Sequence, residues 1–278
     1  VPGVADPTEG VRVTWLGHAT VLFEAAGRRI LTDPLLTRRV AHLRRRRPLS
    51  MAELAPVDLV VISHVHHDHL HRPSLRRVVA GARVVVPAGA ARLVAGLGAA
   101  DVEEVRPGDR VVVGAGPNPV ELAVVHAEHY RHRGPHSPVR ADPVGYVVGA
   151  AGRRVYFPGD TDLFDAMADL GPLDVALLPI WGWGPTLGER HLDPERAAVA
   201  VGRLDAAQVV PIHWGTYSPM RLRPGPPTWL DRPHAEFVDA LERHGVADRL
   251  HRLSPGGSIT LEGGPGARHE PGPGSPGS

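Results

Sequence analysis

Apolar side chains along this chain gather in short β-branched blocks. Val11 to Trp15, Val21 to Glu24, Arg29 to Thr32, Leu59 to Ser63, Val84 to Val86 and Val111 to Val113 each predict a strand. So do Val120 to Val125, Val144 to Val148, Val155 to Phe157, Val175 to Leu178 and Val209 to Ile212. Branched side chains fit a pleated, half-buried surface, and blocks that are apolar at consecutive positions predict strands covered on both faces. Helical patterns lie between some of them, at Ser74 to Val79, Ala88 to Leu97, Asp162 to Leu170, Pro194 to Leu204 and Pro233 to His244. The fourth has a defined start: Asp193 offers a carboxylate to the free amides of the first turn, Pro194 has no amide to lose, and Glu195 complements the helix dipole. Two strand-rich stretches, each followed by helices and joined without a low-complexity linker, predict an α/β domain over residues 1–262 with sheets inside and helices outside. Residues 263–278 carry no apolar side chain larger than Ala or Pro, so burial cannot offset their ordering entropy, and a disordered Gly/Pro/Ser tail is expected there.

With 278 residues and 42% apolar composition, a sizeable core is affordable. Lys+Arg 31 against Asp+Glu 30 leaves a net charge of +1, so a nucleic-acid partner would have to rest on a local patch. The absence of cysteine excludes disulfides, thiolate nucleophiles, iron–sulfur clusters and Cys-based zinc sites, and leaves nitrogen and oxygen to hold any metal. Lysine is absent as well, which excludes Schiff-base chemistry, whereas His reaches 17. No apolar run approaches the roughly 18 residues of a membrane helix. The stretch Val1 to Asp6 lacks the features of a signal peptide, so a cytoplasmic location is expected, with peripheral membrane contact left open and oligomeric state undetermined.

The candidate chemistry begins at Ser63-His64-Val65-His66-His67-Asp68-His69, directly after the apolar strand 57–62. Imidazoles and a carboxylate therefore emerge at the carboxyl end of a buried strand, where α/β folds place their sites. His64 and His66 project to the same side of an extended backbone and can share one metal, while Asp68 and His69 follow the turn, a spacing that suits two adjacent metals better than one.

Several separated segments together resemble the metallo-β-lactamase fold superfamily, in particular the branch that includes N-acyl phosphatidylethanolamine phospholipase D and ascorbate-6-phosphate lactonase. Thr14-Trp15-Leu16-Gly17-His18-Ala19-Thr20 and Ile30-Leu31-Thr32-Asp33-Pro34 are similar to its first hairpins, and His64, His66, Asp68 and His69 follow. His126-Ala127-Glu128-His129-Tyr130 resembles its next ligand segment, Phe157-Pro158-Gly159-Asp160-Thr161-Asp162 its Gly-Asp-Thr motif, and Ile212-His213-Trp214-Gly215-Thr216-Tyr217 its final one. The resemblance implies an αββα sandwich of two mixed β-sheets flanked by helices. It also implies a metal held by His64, His66 and His129, a second held by Asp68, His69 and His213, and Asp160 bridging them. His126 is a rival to His129, because the chain departs from the branch on both sides of Ala127. Two ions about 3.5 to 4 Å apart activate a shared water for hydrolysis. Zinc is the preferred ion, with manganese and iron as alternatives.

Asp68 and His191 are the catalytic candidates, the latter lying before a helix start where the branch carries a His-x-x-Pro-Glu segment. The expected substrate is a phosphodiester or related ester of a small molecule or lipid. A lactone or amide hydrolase is the near alternative, an iron-dependent oxidoreductase the distant one, and nucleic acid is not expected as substrate. His18 is expected to support a ligand or to pack near the metals, Arg44-Arg45-Arg46-Arg47 to form a solvated face, and Trp181 and Trp183 either to line a pocket or to pack in the core.

Overall fold

A computed structural model of the chain describes residues 10–49, 54, 56–115, 118–134, 136–182, 186–220 and 228–264. Every apolar block named above lies in or overlaps a strand. In chain order the first strands are β1 (Gly10–Gly17), β2 (Thr20–Ala25), β3 (Arg28–Thr32), β4 (Arg39–Val40), β5 (Leu43–Arg45), β6 (Leu59–Val61), β7 (Arg83–Pro87) and β8 (Asp101–Val105). They are followed by β9 (Arg110–Val113), β10 (Val120–His126), β11 (Val144–Ala150), β12 (Arg153–Phe157), β13 (Leu173–Pro179), β14 (Ala206–Ile212), β15 (Tyr217–Pro219) and β16 (Ser258–Glu262).

A seven-stranded sheet runs β16-β1-β2-β3-β6-β7-β8, and a six-stranded one runs β14-β13-β12-β11-β10-β9. Both are mixed. In the first, β16, β1, β2 and β3 pair antiparallel, then β3, β6, β7 and β8 pair parallel. The second repeats that plan, antiparallel from β9 to β12 and parallel from β12 to β14.

Side-chain alternation explains the layering. Phe23, Ile30, Val61 and Val85 on the first sheet meet Leu122, Tyr146, Phe157 and Val210 on the second, forming the inner core. Their sequence neighbours Leu22, Leu31, Val60 and Val84 point outward with Leu75 and Val94, while Val147, Tyr156, Ala176 and Val209 point outward with Ala197 and Phe237. The outer layers contain helices α1 (Arg72–Leu75), α2 (Ala91–Val94), α3 (Pro194–Arg203) and α4 (Arg232–Arg243). The αββα sandwich expected of the sequence is therefore the fold. At α3 the Asp193 carboxylate accepts the Arg196 amide at 2.7 Å, as its pattern predicts.

Three helical patterns fall short. Ser74 to Val79 continues as turns after α1, and Ala88 to Leu97 narrows to α2 before Gly96 and Gly98, both at positive φ. Asp162 to Leu170 becomes a 3-10 segment from Asp165, because the Asp162 amide donates across to Glu128 O at 2.8 Å. A small third sheet, β15-β5-β4, ties the arginine run to the chain after β14. The arginine run is not a uniformly solvated face: Arg45 is only 6% exposed. Of the expected tail, residues 265–278 lie outside the described residues, as does Trp183.

Candidate metal centre

The carboxyl ends of β3, β6, β12 and β14 converge, and each delivers polar side chains into the same space. After β6 the chain turns, with the Leu70 amide donating to His66 O at 2.9 Å, so that His64 and His69 are buried on the way. After β12, Gly159 at φ +66 packs directly on Ser63, and a Cβ there would collide with that side chain, so the approach that carries Asp160 into the site requires glycine. His18, Asp33 and His213 all hold left-handed backbone, at φ 56, 33 and 63, an unusual conformation for side chains of this size.

Two groups of donor atoms result. In the first, His66 Nδ1 lies 3.0 Å from His64 Nε2 and 3.1 Å from His129 Nε2. In the second, His69 Nε2 lies 3.2 Å from His213 Nε2 and 3.4 Å from Asp68 Oδ2, and His18 Nε2 approaches Asp68 Oδ2 to 3.0 Å. Asp160 faces both groups. Its Oδ2 is 3.3 Å from His69 Nε2 and 4.0 Å from both His64 Nε2 and His129 Nε2, and its Oδ1 is 3.2 Å from His213 Nε2. Four ligands about 2.1 Å from a tetrahedral ion stand roughly 3.4 Å apart, so these separations are close to the edges of a coordination shell. Asp160 Oδ1 is also buried without a hydrogen bond. The donor set fits divalent metal.

The outer nitrogens of the rings are held as metal-binding imidazoles are held, by an acceptor that fixes ring and tautomer. His129 Nδ1 donates to Arg190 O and His213 Nδ1 to Trp181 O, each at 2.8 Å. His69 Nδ1 donates to Asp33 Oδ2 at 2.7 Å. Ser63 Oγ donates to the same carboxylate, and its oxygen then accepts from His64 Nδ1 at 3.0 Å. Asp33, fully buried, thereby orients one imidazole in each group.

Burial holds His64 well below the usual imidazole range, lowers His66, and brings His129 down to about 4 and His18 to about 3. These rings are neutral near pH 7, with lone pairs free for metal. Burial opposes charge on His69 too, but Asp160, Asp68 and Asp33 surround it and push it well up. Burial likewise opposes charge on Asp68 and Asp160, yet the neighbouring imidazoles outweigh it and keep both carboxyls well below their ordinary range. Two carboxylates held ionised beside His18, His64, His66 and His129, which burial keeps from charging, make a site suited to a cation.

His191 sits at the edge, its side chain 19% exposed, with Nε2 3.6 Å from Asp160 Oδ2 and Nδ1 donating to Glu189 O at 2.9 Å. Burial works against its charge, but Asp160 outweighs it and raises the ring. His126 is not brought in: its side chain is 52% exposed, lies 3.5 Å from Glu128 Oε2 and stands edge-on to Phe164. Trp181 is buried and lines a slot beside His213 together with Trp214 and Trp229. His18 joins Asp68, His69 and His213, supporting the Asp68 carboxylate as one of the two roles expected of it. One participant escapes the sequence reasoning: Asp33 acts through its carboxylate, for which the Thr-Asp-Pro turn after an apolar strand is the one available signal.

Layered mixed sheets with a His/Asp cluster at their strand ends define a metal-dependent hydrolase of the metallo-β-lactamase fold. The β-lactamase superfamily domain matches residues 28–214, and the chain belongs to that family. It is 31% identical over 250 residues to a metal-dependent hydrolase of Caldivirga maquilingensis, covering 89% of this chain and 96% of that one. It is 30% identical over 230 residues to N-acyl-phosphatidylethanolamine-hydrolyzing phospholipase D 1 of Caenorhabditis elegans, matching 75% of this chain but only 65% of that protein's length. Among solved structures, the metallo hydrolase Igni18 of Ignicoccus hospitalis superposes with a TM-score of 0.65 at 26% identity, covering 91% of this chain and 99% of that one. Among the described residues no helix is long and apolar enough to cross a membrane.

Proposed function

We propose that this hydrolase works with two divalent ions, preferably zinc, and cleaves a phosphodiester or related ester of a small molecule or lipid. His64, His66 and His129 would hold one ion, Asp68, His69 and His213 the other, with Asp160 between them and His18 fixing Asp68. The observation that carries this reading is the Asp160 carboxylate, which turns one oxygen toward His213 and the other toward His64, His69 and His129. When bound, such a pair supplies Lewis acidity toward the scissile group and a water acidic enough to attack near neutral pH.

The chain's own residues provide the rest. Asp33 and Ser63 hold ligand rings in one orientation, which limits reorganisation during turnover. His191, with Nε2 turned toward Asp160 and its ring partly exposed, is placed to hydrogen-bond a phosphate oxygen or leaving group. Support for a phosphodiester comes from the partial-length likeness to the nematode phospholipase D.

Elemental analysis of wild type and Asp160→Ala, with turnover of bis(p-nitrophenyl) phosphate and a panel of lactones, tests the reading. Two zinc per chain, lost with activity in the variant, is the expected result. A folded wild type that takes up no metal would refute the site, and lactone turnover without phosphodiester turnover would move the substrate to the carbonyl class.

A further inference from the structure

The arginine run has a second consequence, away from the metal cluster. Arg45, Arg46 and Arg47 line a cavity of about 300 Å³, closed on other sides by Trp15, Trp214 and Ser254. None of the cluster's donor residues lines it.

Its charge is unbalanced. Arg45 is buried, and its guanidinium donates to two backbone carbonyls, Leu16 O and Leu35 O, both at 2.7 Å, and lies beside the Tyr217 side chain, all of them neutral partners. Among the described residues no carboxylate pairs with it, and a buried guanidinium with only neutral acceptors is costly unless an anion comes near. Arg46 is matched, holding Asp231 Oδ1 at 2.8 Å. Arg47 is exposed and makes no ion pair among the described residues. Among the described residues of the wall, three guanidinium groups stand against one carboxylate, Asp231, an excess of two positive charges.

We infer that this cavity is a second binding site that takes a phosphate dianion, either free phosphate or the headgroup of a phosphate monoester. A dianion matches the excess charge, and Arg47 and Ser254 supply donors of the kind that phosphate oxygens accept. The half-buried Trp214 ring, stacked on the buried Trp15 at 6.0 Å, offers an apolar flank for a small organic group beside the phosphate. The volume is at the small end of ligand pockets.

The site is joined to the metal cluster through backbone. The Arg46 amide donates to Thr216 O at 2.9 Å and its guanidinium to Gly215 O at 3.2 Å, while Thr216 Oγ1 accepts the His18 amide at 2.7 Å. Gly215 and Thr216 directly follow His213 and Trp214, so an anion that steadies Arg46 also steadies the segment that carries His213.

Calorimetric titration of inorganic phosphate into metal-loaded full-length protein at low salt tests the site. Arg47→Gln is expected to weaken phosphate binding about tenfold, the size of one lost charge-assisted hydrogen bond, and Arg46→Gln/Arg47→Gln further. Arg110→Gln, an exposed change on β9, is expected to leave it unaltered. Among the described residues Arg47 makes no ion pair or side-chain hydrogen bond, so its variant carries the test even where the double variant fails to fold. Affinity unchanged in Arg47→Gln would place the anion elsewhere, at the metal cluster first of all, and overturn the inference. An equal loss in Arg110→Gln would reduce it to general charge screening and overturn it too. Sedimentation with phosphatidylcholine vesicles, with and without phosphatidic acid, distinguishes the sources. Pelleting that needs both phosphatidic acid and Arg47 assigns a lipid headgroup, whereas phosphate binding without pelleting assigns a soluble monoester.

Discussion

Replacing Asp33 with Asn keeps the shape of the side chain and removes the charge that holds two ligand rings. In the native arrangement one carboxylate oxygen accepts the Ser63 amide at 2.7 Å, and the other accepts both Ser63 Oγ and His69 Nδ1. An amide has one acceptor oxygen. Whichever way it turns, its NH₂ faces a donor, the Ser63 amide or the His69 N–H, and that contact becomes repulsive. Loss of one hydrogen bond to a charged group amounts to about 1.5 to 3 kcal/mol, and disturbance of such an outer acceptor weakens metal binding by about 10- to 100-fold. The two estimates agree, because tenfold is about 1.4 kcal/mol. Competition of the purified variant against a chromophoric chelator, with elemental analysis of the retained metal, reads the effect directly. Ser63→Ala, which cuts the link to His64 and one donor to Asp33 but leaves the His69 bond to that carboxylate in place, should fall between variant and wild type. If Asp33→Asn binds metal within about twofold of wild type, the carboxylate does not orient the rings and the reasoning fails.

Gly159→Ala forces a side chain into left-handed backbone and against Ser63, so it should destabilise by about 2 to 5 kcal/mol, visible as a lowered midpoint of thermal unfolding; an unchanged midpoint would mean that the turn can relax. His129→Ala should release metal and abolish turnover while His126→Ala retains both, and equal metal contents in the two variants would contradict the separation seen here. The Tyr156 hydroxyl is buried without a hydrogen-bond partner, so Tyr156→Phe should be neutral or stabilising by up to about 1 kcal/mol in chemical denaturation, and a loss of stability would show that the hydroxyl is satisfied.

What could be read from the sequence depended on how local its cause was. Strands such as Val144 to Val148 declare themselves because both their faces are apolar, and His64 to His69 because the ligands share one turn. β8 does not, since Asp101, Glu103 and Glu104 sit on an edge strand whose charges protect an open ladder rather than face a core. Nor does β16, which pairs with the opposite end of the chain. His18 and Asp33 enter the site through left-handed turns set by tertiary contacts, and nothing in their own neighbours predicts that conformation. The arginine run misleads for the same reason: four identical side chains look uniform, and only the pairing of β5 with β15 buries Arg45.

The pairing of β1 with β16 also bears on how the protein emerges from the ribosome. Val11 lies opposite Leu261, roughly 250 residues further along the chain. At translation rates of about 5 to 20 residues per second, β1 waits on the order of 10 to 50 seconds for its partner. For that time its open ladder can template pairing with another nascent chain. Slow synthesis should therefore favour misassembly at this edge, and expression yield should respond to chaperone supply more than to the stability of the finished fold.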